Sequence, residues 1–477
     1  MKIPFAEFMP DVSETDATVA AVARNVIPGA NSYRPAPSLA PYSQPLGDRC
    51  RGYCYAQRQD GSYRGFAATA TDILELDATD FSWNSVGGTT YALADGQFWS
   101  FAQFGTDLIA VHEGDNPQFI ELEAGTVFAD LGGNPPRARY VDVFGEYVIL
   151  AHLASDPFGI AWSGTASDTD WTAGSDNSDV QSFPEGGHVQ AICAAAGFVI
   201  QERTVRQMIP TPGAAEGVFQ FVKIEAVKGT IAPHSVIKFG ASVAYLAEDG
   251  FWLDNQPIGA EKVNNYFHGL LNNAKVGEVV GAFDPLRPLV YWSFASGANK
   301  DPDMMMVFNW KVGRWSDMAV PTTFIGSQAT PGTTLEGLDT LFATLEDVTP
   351  SLDSGVWTGV RPVFAAFDAA DRLSFFAGPA MEAVLETGER QLADGQRFFA
   401  NSVRPVVDSA AATVRVGKRD RIADERTWGQ ESAMQPSGEC PVRSNGRYQR
   451  FRVRIPAGEV WSHAQGVDVR GMVAGRR

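Results

Sequence analysis

The sequence predicts an all-β protein built around a β-propeller of six or seven blades, with an extended N-terminal arm and a C-terminal antiparallel β domain. Three observations predict it. Pairs of alternating apolar and polar runs begin near Tyr91, Tyr140, Val189, Val236, Val280 and Phe324, at spacings of 49, 49, 47, 44 and 44 residues. Each pair turns at Gly, Asp or Pro, residues whose backbone preferences suit tight turns. Trp83, Trp99, Trp162, Trp252, Trp292 and Trp315 recur among the units, as rings packed between blades would. A period of this length with several short strands per unit marks propeller blades. One blade cannot bury both of its faces; stacking blades about an axis covers them and leaves few open edges. The competing reading is a pair of β-sandwiches with coincidental spacing, and no WD or kelch signature is present.

The elements follow in chain order. Residues 1–50 carry Pro4, Pro10, Pro28, Pro35, Pro37, Pro41 and Pro45. So many prolines interrupt regular ladders, and the segment reads as an extended arm lying on its own body or on a neighbour. Only Thr15 to Asn25 has the composition of a short helix. Residues 51–378 form the propeller. Its first unit, from Tyr53, holds the strongest hairpin signal, Asp60-Gly61 between two alternating runs. Residues 379–477 read as a β-sandwich-like domain with strands in 388–395, 398–407, 412–421, 447–456 and 465–473. In the fourth, Tyr448, Arg450, Arg452 and Arg454 share one face, and Gln449, Phe451, Val453 and Ile455 share the other.

The 477 residues are 44% hydrophobic, 20% charged and 11% aromatic, ordinary globular usage with a β-rich bias. Charge is unevenly placed. Residues 401–477 carry 14 Lys and Arg against 8 Asp and Glu, a net of +6; the rest carries 24 against 48, a net of −24. An acidic body of that size argues against a protein that grips duplex DNA, because phosphate contacts need clustered cations. It is compatible with DNA passing nearby without adhering. No apolar run reaches the length of a membrane span, and the start lacks the apolar stretch of a secretory signal. The expectation is a chain made and assembled in a cytoplasm, with no membrane insertion.

Catalytic patterns are missing. There is no G-x-S-x-G elbow, P-loop lysine, HExxH or dinucleotide fingerprint. The six histidines are scattered. Cys50 and Cys54 form the one close cysteine pair, and without further ligands they read, with Cys193 and Cys440, as reduced buried thiols. His112-Glu113-Gly114-Asp115 reads as a turn. Four aspartates between Asp168 and Asp179 suggest a calcium loop, but the spacing fits a run of Asx turns better. The expectation is a non-enzyme with no cofactor, no catalytic residue and no metal site. The arginine row has two readings: a face paired with acids across the strand, or an ionic seam to an acidic neighbour.

Several stretches resemble the tail proteins of tailed bacteriophages, in the style of the β-propeller nozzle or packaged-DNA stabilisation proteins of short-tailed phages. They are Asn25-Val26-Ile27-Pro28-Gly29 followed by Tyr33-Arg34-Pro35, Arg64-Gly65-Phe66, Ile160-Ala161-Trp162-Ser163-Gly164, Glu248-Asp249-Gly250-Phe251, Phe308-Asn309-Trp310 with Arg314-Trp315-Ser316, and Gly446-Arg447-Tyr448 onward to Trp461. The resemblance implies a virion protein forming a homo-oligomeric ring, six copies in the family's style, below a portal and adaptor. DNA would be retained above and pass through the lumen without sequence-specific binding. It would put Asn25, Pro28, Tyr33, Arg34, Arg447, Arg450, Arg452 and Arg454 at contacts with a neighbouring copy or the adaptor. Two alternatives stand beside it: a carbohydrate- or receptor-binding propeller of tail-fibre type, and a propeller glycoside hydrolase using two of the many carboxylates.

Overall fold

Seven four-stranded antiparallel units follow one another from Tyr53 to Ala380. Their first strands are Tyr53–Gln57, Ser100–Phe104, Ala138–Phe144, Val189–Cys193, Ile237–Phe239, Val280–Phe283 and Thr322–Ala329. The structure is a computed structural model, and it describes residues 1–477 except 17, 212–217, 225–226, 330–343, 345–361 and 476–477. The fold is all-β and propeller-like. Five of the six sequence-derived starts lie within two residues of a first strand. The sixth, Tyr91, does not: the strand begins at Ser100, because Ala94 to Gln97 forms a turn outside any ladder. Tyr91 is instead buried beside Trp99, with ring centroids 4.9 Å apart.

The first unit shows why these residues fold this way. Tyr53–Gln57 pairs with Tyr63–Ala68 through a turn in which Gly61 takes a φ of +84°. An L side chain rarely adopts that conformation, so glycine is suited to it. Asp60 accepts from the Ser62 amide and hydroxyl at 2.8 and 2.6 Å, which fixes the turn.

The last unit borrows a strand. Thr322–Ala329, Pro362–Asp368 and Arg372–Ala380 are completed on their outer side by Pro37–Pro45 from the N-terminal segment. Its prolines are tolerated because the strand is at a sheet edge. Thr322–Ala329 also packs beside Tyr53–Gln57, so the seventh unit touches the first.

The sixth unit does not end at its fourth strand. Arg314–Ala319 meets Val19–Arg24, which continues into Ala383–Thr387, Tyr448–Ile455 and Thr413–Arg419. Val19–Arg24, in the stretch with helical composition, is therefore a strand. Val19 and Val22 are β-branched, and the segment lies where two sheets would otherwise be separated, so pairing overrides local propensity. A second C-terminal sheet orders Val26–Pro28, Tyr33–Pro35, Ala464–Val473, Phe398–Val407 and Cys440–Gly446, with Lys2–Pro4 on Ala464–Val473. The N-terminal segment is thus woven into its own body. Ile3, Phe5 and Phe8 share one buried cluster with Trp292, Trp315, Phe451 and Val453.

Candidate functional site

The strand Tyr448–Ile455 alternates as its sequence requires. Gln449, Phe451, Val453 and Ile455 are fully buried, leaving the arginines on the opposite face. Ala383–Thr387 pairs alongside, and its register sets Glu386 opposite Arg452. Glu386, 1% exposed, takes Arg450 and Arg452 together. Arg454 reaches Glu382 at 2.5 Å and Glu431 at 3.7 Å. Arg452 also lies over the Trp428 ring, 4.4 Å from its centroid, a cation–π contact.

A second layer comes from the N-terminal segment. Glu14 meets Arg426 at 2.7 Å, Arg450 at 2.8 Å and Arg419 at 3.1 Å. Glu389, fully buried, holds Arg419 and Arg426 from the other side. Burial alone would raise the Glu14 carboxyl, but the three guanidiniums outweigh it and hold it below the ordinary carboxylate range. Burial likewise pulls Arg450 below the usual guanidinium range, against the attraction of Glu386 and Glu14. Such a network gains little net energy over apolar packing, but removing one partner leaves a buried charge uncompensated.

The other sequence-derived contact residues fall elsewhere. Asn25, with φ +55°, donates to the Glu382 carbonyl at 2.9 Å and accepts from the Ala319 amide at 2.8 Å, stitching the sixth unit to the C-terminal body. Pro28 is buried, and its carbonyl accepts from Asn309 at 2.8 Å. Tyr33 is fully buried; its hydroxyl donates to the Ala6 carbonyl at 2.8 Å and Arg314 stacks over its ring. Arg34 is exposed on Tyr33–Pro35, and Arg447 sits in the turn before Tyr448. Arg450, Arg452 and Arg454 thus form one row, while Asn25, Pro28 and Tyr33 line an internal seam. No motif singles out Glu14, Glu386 or Glu389, because their role depends on register between strands far apart in the chain.

A small cavity of about 160 Å³ lies where the first strands converge. Ser100, Tyr140, Ile192, Lys238, Gly281 and Phe324 bring six units to it. Lys238 pairs with Asp142 at 2.8 Å, and Asp142 accepts from the Ala194 amide at the same distance. Burial acts against the Lys238 ammonium, but Asp142 outweighs it and raises its pKa. His234 packs 4.4 Å from the Phe98 ring; burial, with Arg139 nearby, pushes its imidazole down to about 3.

Elsewhere, His112 is buried against Trp99 and pairs with Asp115 at 3.0 Å. The 167–179 loop is built on short polar turns, such as Ser167 accepting from the Thr169 and Asp170 amides. Burial and the neighbouring Asp168 raise Asp107 to about 6. Among the described residues, no group of three His, Cys, Asp or Glu side chains could hold a metal ion. Cys50, Cys54, Cys193 and Cys440 are free thiols.

No protein-family model and no curated protein matches the chain. Among solved structures it is similar to the crystal structure of BamB from Moraxella catarrhalis, at 11% identity and a TM-score of 0.33, over 73% of this chain and 92% of that one.

Proposed function

We propose that the chain is a structural protein of a phage tail, assembling as a ring below the portal and adaptor that retains packaged DNA and forms the channel for its ejection. One observation carries this reading. A C-terminal region of net +6 is joined by a continuous sheet and a shared core to a body of net −24. Opposite charges held in fixed relation on one unit suit head-to-tail contacts between copies, and such contacts close into rings when the rotation permits. The exposed members of the arginine set, Arg34 and Arg454, are the residues of that set we assign to the contact.

In this reading the seven units close into a seven-bladed propeller. The pairing of Pro37–Pro45 with the last unit, the contact of the seventh unit with the first, and the convergence of six units on one cavity all support closure. We place the DNA channel at the centre of the ring, between copies, rather than along the axis of one propeller. An acidic lumen would repel phosphates and let the duplex slide.

Sedimentation velocity across salt concentrations tests the reading. A ring held by opposite charges dissociates as the screening length falls from about 10 Å at 0.1 M to about 3 Å at 1 M salt. A species of one mass at every salt concentration would contradict a charge-held ring. A second reading, a glycan-binding propeller, has one observation in its favour: Trp310, 44% exposed, lies 6.0 Å from the Phe239 ring as a platform for a sugar face. Binding on a glycan array that Trp310→Ala abolishes would establish it.

A further inference from the structure

The C-terminal body is open along one side. Among the described residues, Cys440–Gly446 is the last strand of its sheet and pairs only with Phe398–Val407. It alternates strictly, with Val442 and Ser444 turned inward and Arg443 and Asn445 outward. Across from it, the other sheet is finished by two short pieces, Thr427–Trp428 and Ser432–Ala433, and between them the Gly429 amide donates to the Val416 carbonyl at 2.9 Å. The gap between the two edges is a groove of about 960 Å³. Val416 and Val442 contribute its apolar lining, and Trp428, Lys418 and Arg443 line it as well.

Two features distinguish this groove. The Ser444 side chain lines it, is 4% exposed, and its hydroxyl has no hydrogen-bond partner among the described residues. A buried polar group without a partner costs about 1–3 kcal/mol unless something completes it. Lys418 and Arg443 also have no ion-pair partner among the described residues, although this region pairs most of its other cations. Glu431, the groove's one acid, is taken by Arg454 and Thr413. The groove therefore offers an unpaired strand edge, an apolar lining, an unsatisfied hydroxyl and two free positive charges.

We infer that the groove docks an extended acidic segment of a partner chain, which adds as a strand beside Cys440–Gly446. Backbone pairing with the open edge would supply affinity. Carboxylates on its outward face would meet Arg443, while its inward side chains sit on Val416 and Val442 beside Lys418, which shares the Val416 face. Pro441 lacks an amide and marks the end of the paired stretch. The inference does not depend on the ring proposed above: strand addition and self-assembly are separate events with separate readouts.

The test titrates the full chain with three ten-residue probes by calorimetry. One alternates glutamate with valine, one alternates lysine with valine, and one is the acidic peptide N-methylated at every second residue. The acidic peptide should bind at least about tenfold tighter than the basic one, a difference of ~1.4 kcal/mol, and N-methylation should abolish binding. The double variant Lys418→Glu, Arg443→Glu should reverse the preference. Arg443→Glu alone, at an exposed side chain, serves if the double variant does not fold. Equal binding of acidic and basic peptides, undiminished binding of the N-methylated copy, or no binding at a concentration of about 1 mM would overturn the assignment.

Discussion

Arg450 donates to Glu14 across 2.8 Å of space and 436 residues of chain. The same carboxylate receives Arg419 and Arg426, so one acid from the start of the protein is shared among three cations near its end, with Glu386 and Glu389 supplying the other charges. Glu14 is 38% exposed, and solvent screens part of the attraction. Glu14→Gln should lower stability by about 1–2 kcal/mol, read as a shift in denaturant midpoint. Arg450→Met should cost less in the Glu14→Gln background than alone, because the two residues share the interaction.

The same carboxyl predicts an acid limb. Glu14 is held below its ordinary value of 4.5 in the folded chain. Its contribution is fully present above about pH 4.5 and is lost as the pH falls through the lower, folded value. Glu14→Gln should flatten the stability profile in that acid range and leave its slope at pH 7 unchanged.

His234 adds a second, separable slope. Its imidazole titrates near 3 in the fold against an ordinary 6.5, so the unfolded chain binds the proton first. Stability should fall as the pH drops from about 6.5 toward 3, and His234→Gln should remove that part of the loss while sparing neutral pH. Chemical denaturation at pH 5 and pH 7.5 distinguishes the variant from the parent.

Ser43 pins the borrowed strand to both ends of the repeat. Its hydroxyl accepts from the Trp83 indole at 3.1 Å in the first unit and from the Leu373 amide at 3.0 Å in the last. The residue is 4% exposed; Ser43→Ala strands the Leu373 amide, while the Trp83 indole keeps the Gln44 carbonyl at 3.1 Å, and should cost about 1–3 kcal/mol. Faster hydrogen exchange in 37–45 and 372–380 than in the central units would locate the loss.

Trp292 and Trp315 are fully buried in a cluster that reaches from the fifth and sixth units to Phe451 and Val453. Calorimetry should therefore record one unfolding transition for the whole chain. A fragment of residues 379–477 should remain unfolded, since its sheets lack Lys2–Pro4, Val19–Arg24 and Tyr33–Pro35. Two separated transitions, or a folded fragment, would contradict the shared core.

Periodicity made the repeats legible. The units at Val189 and Val280 begin at the residues where the alternation begins, and Asp60-Gly61 is a hairpin turn because its local chemistry suffices. In the C-terminal body 398–407, 412–421, 447–456 and 465–473 coincide with observed strands, and the two faces of 448–455 divide as read. What failed depended on distant partners. Thr15 to Asn25 has helical composition, yet Val19–Arg24 is a strand because two sheets meet there. Strand 388–395 shrinks to Arg390–Gln391, and Ala383–Thr387 and Cys440–Gly446 went unseen because neither contrasts enough with its surroundings. The arginine row was legible as a face, but its acids were not: Glu386 is set by register, and Glu14 by a contact across 436 residues.

The most direct test of the proposed ring is the native mass of the purified chain by light scattering in low salt. Six copies of 51.5 kDa give about 309 kDa, and the account predicts a single species near that mass that falls toward the monomer as salt is raised. A particle of 51.5 kDa at every protein and salt concentration would contradict it.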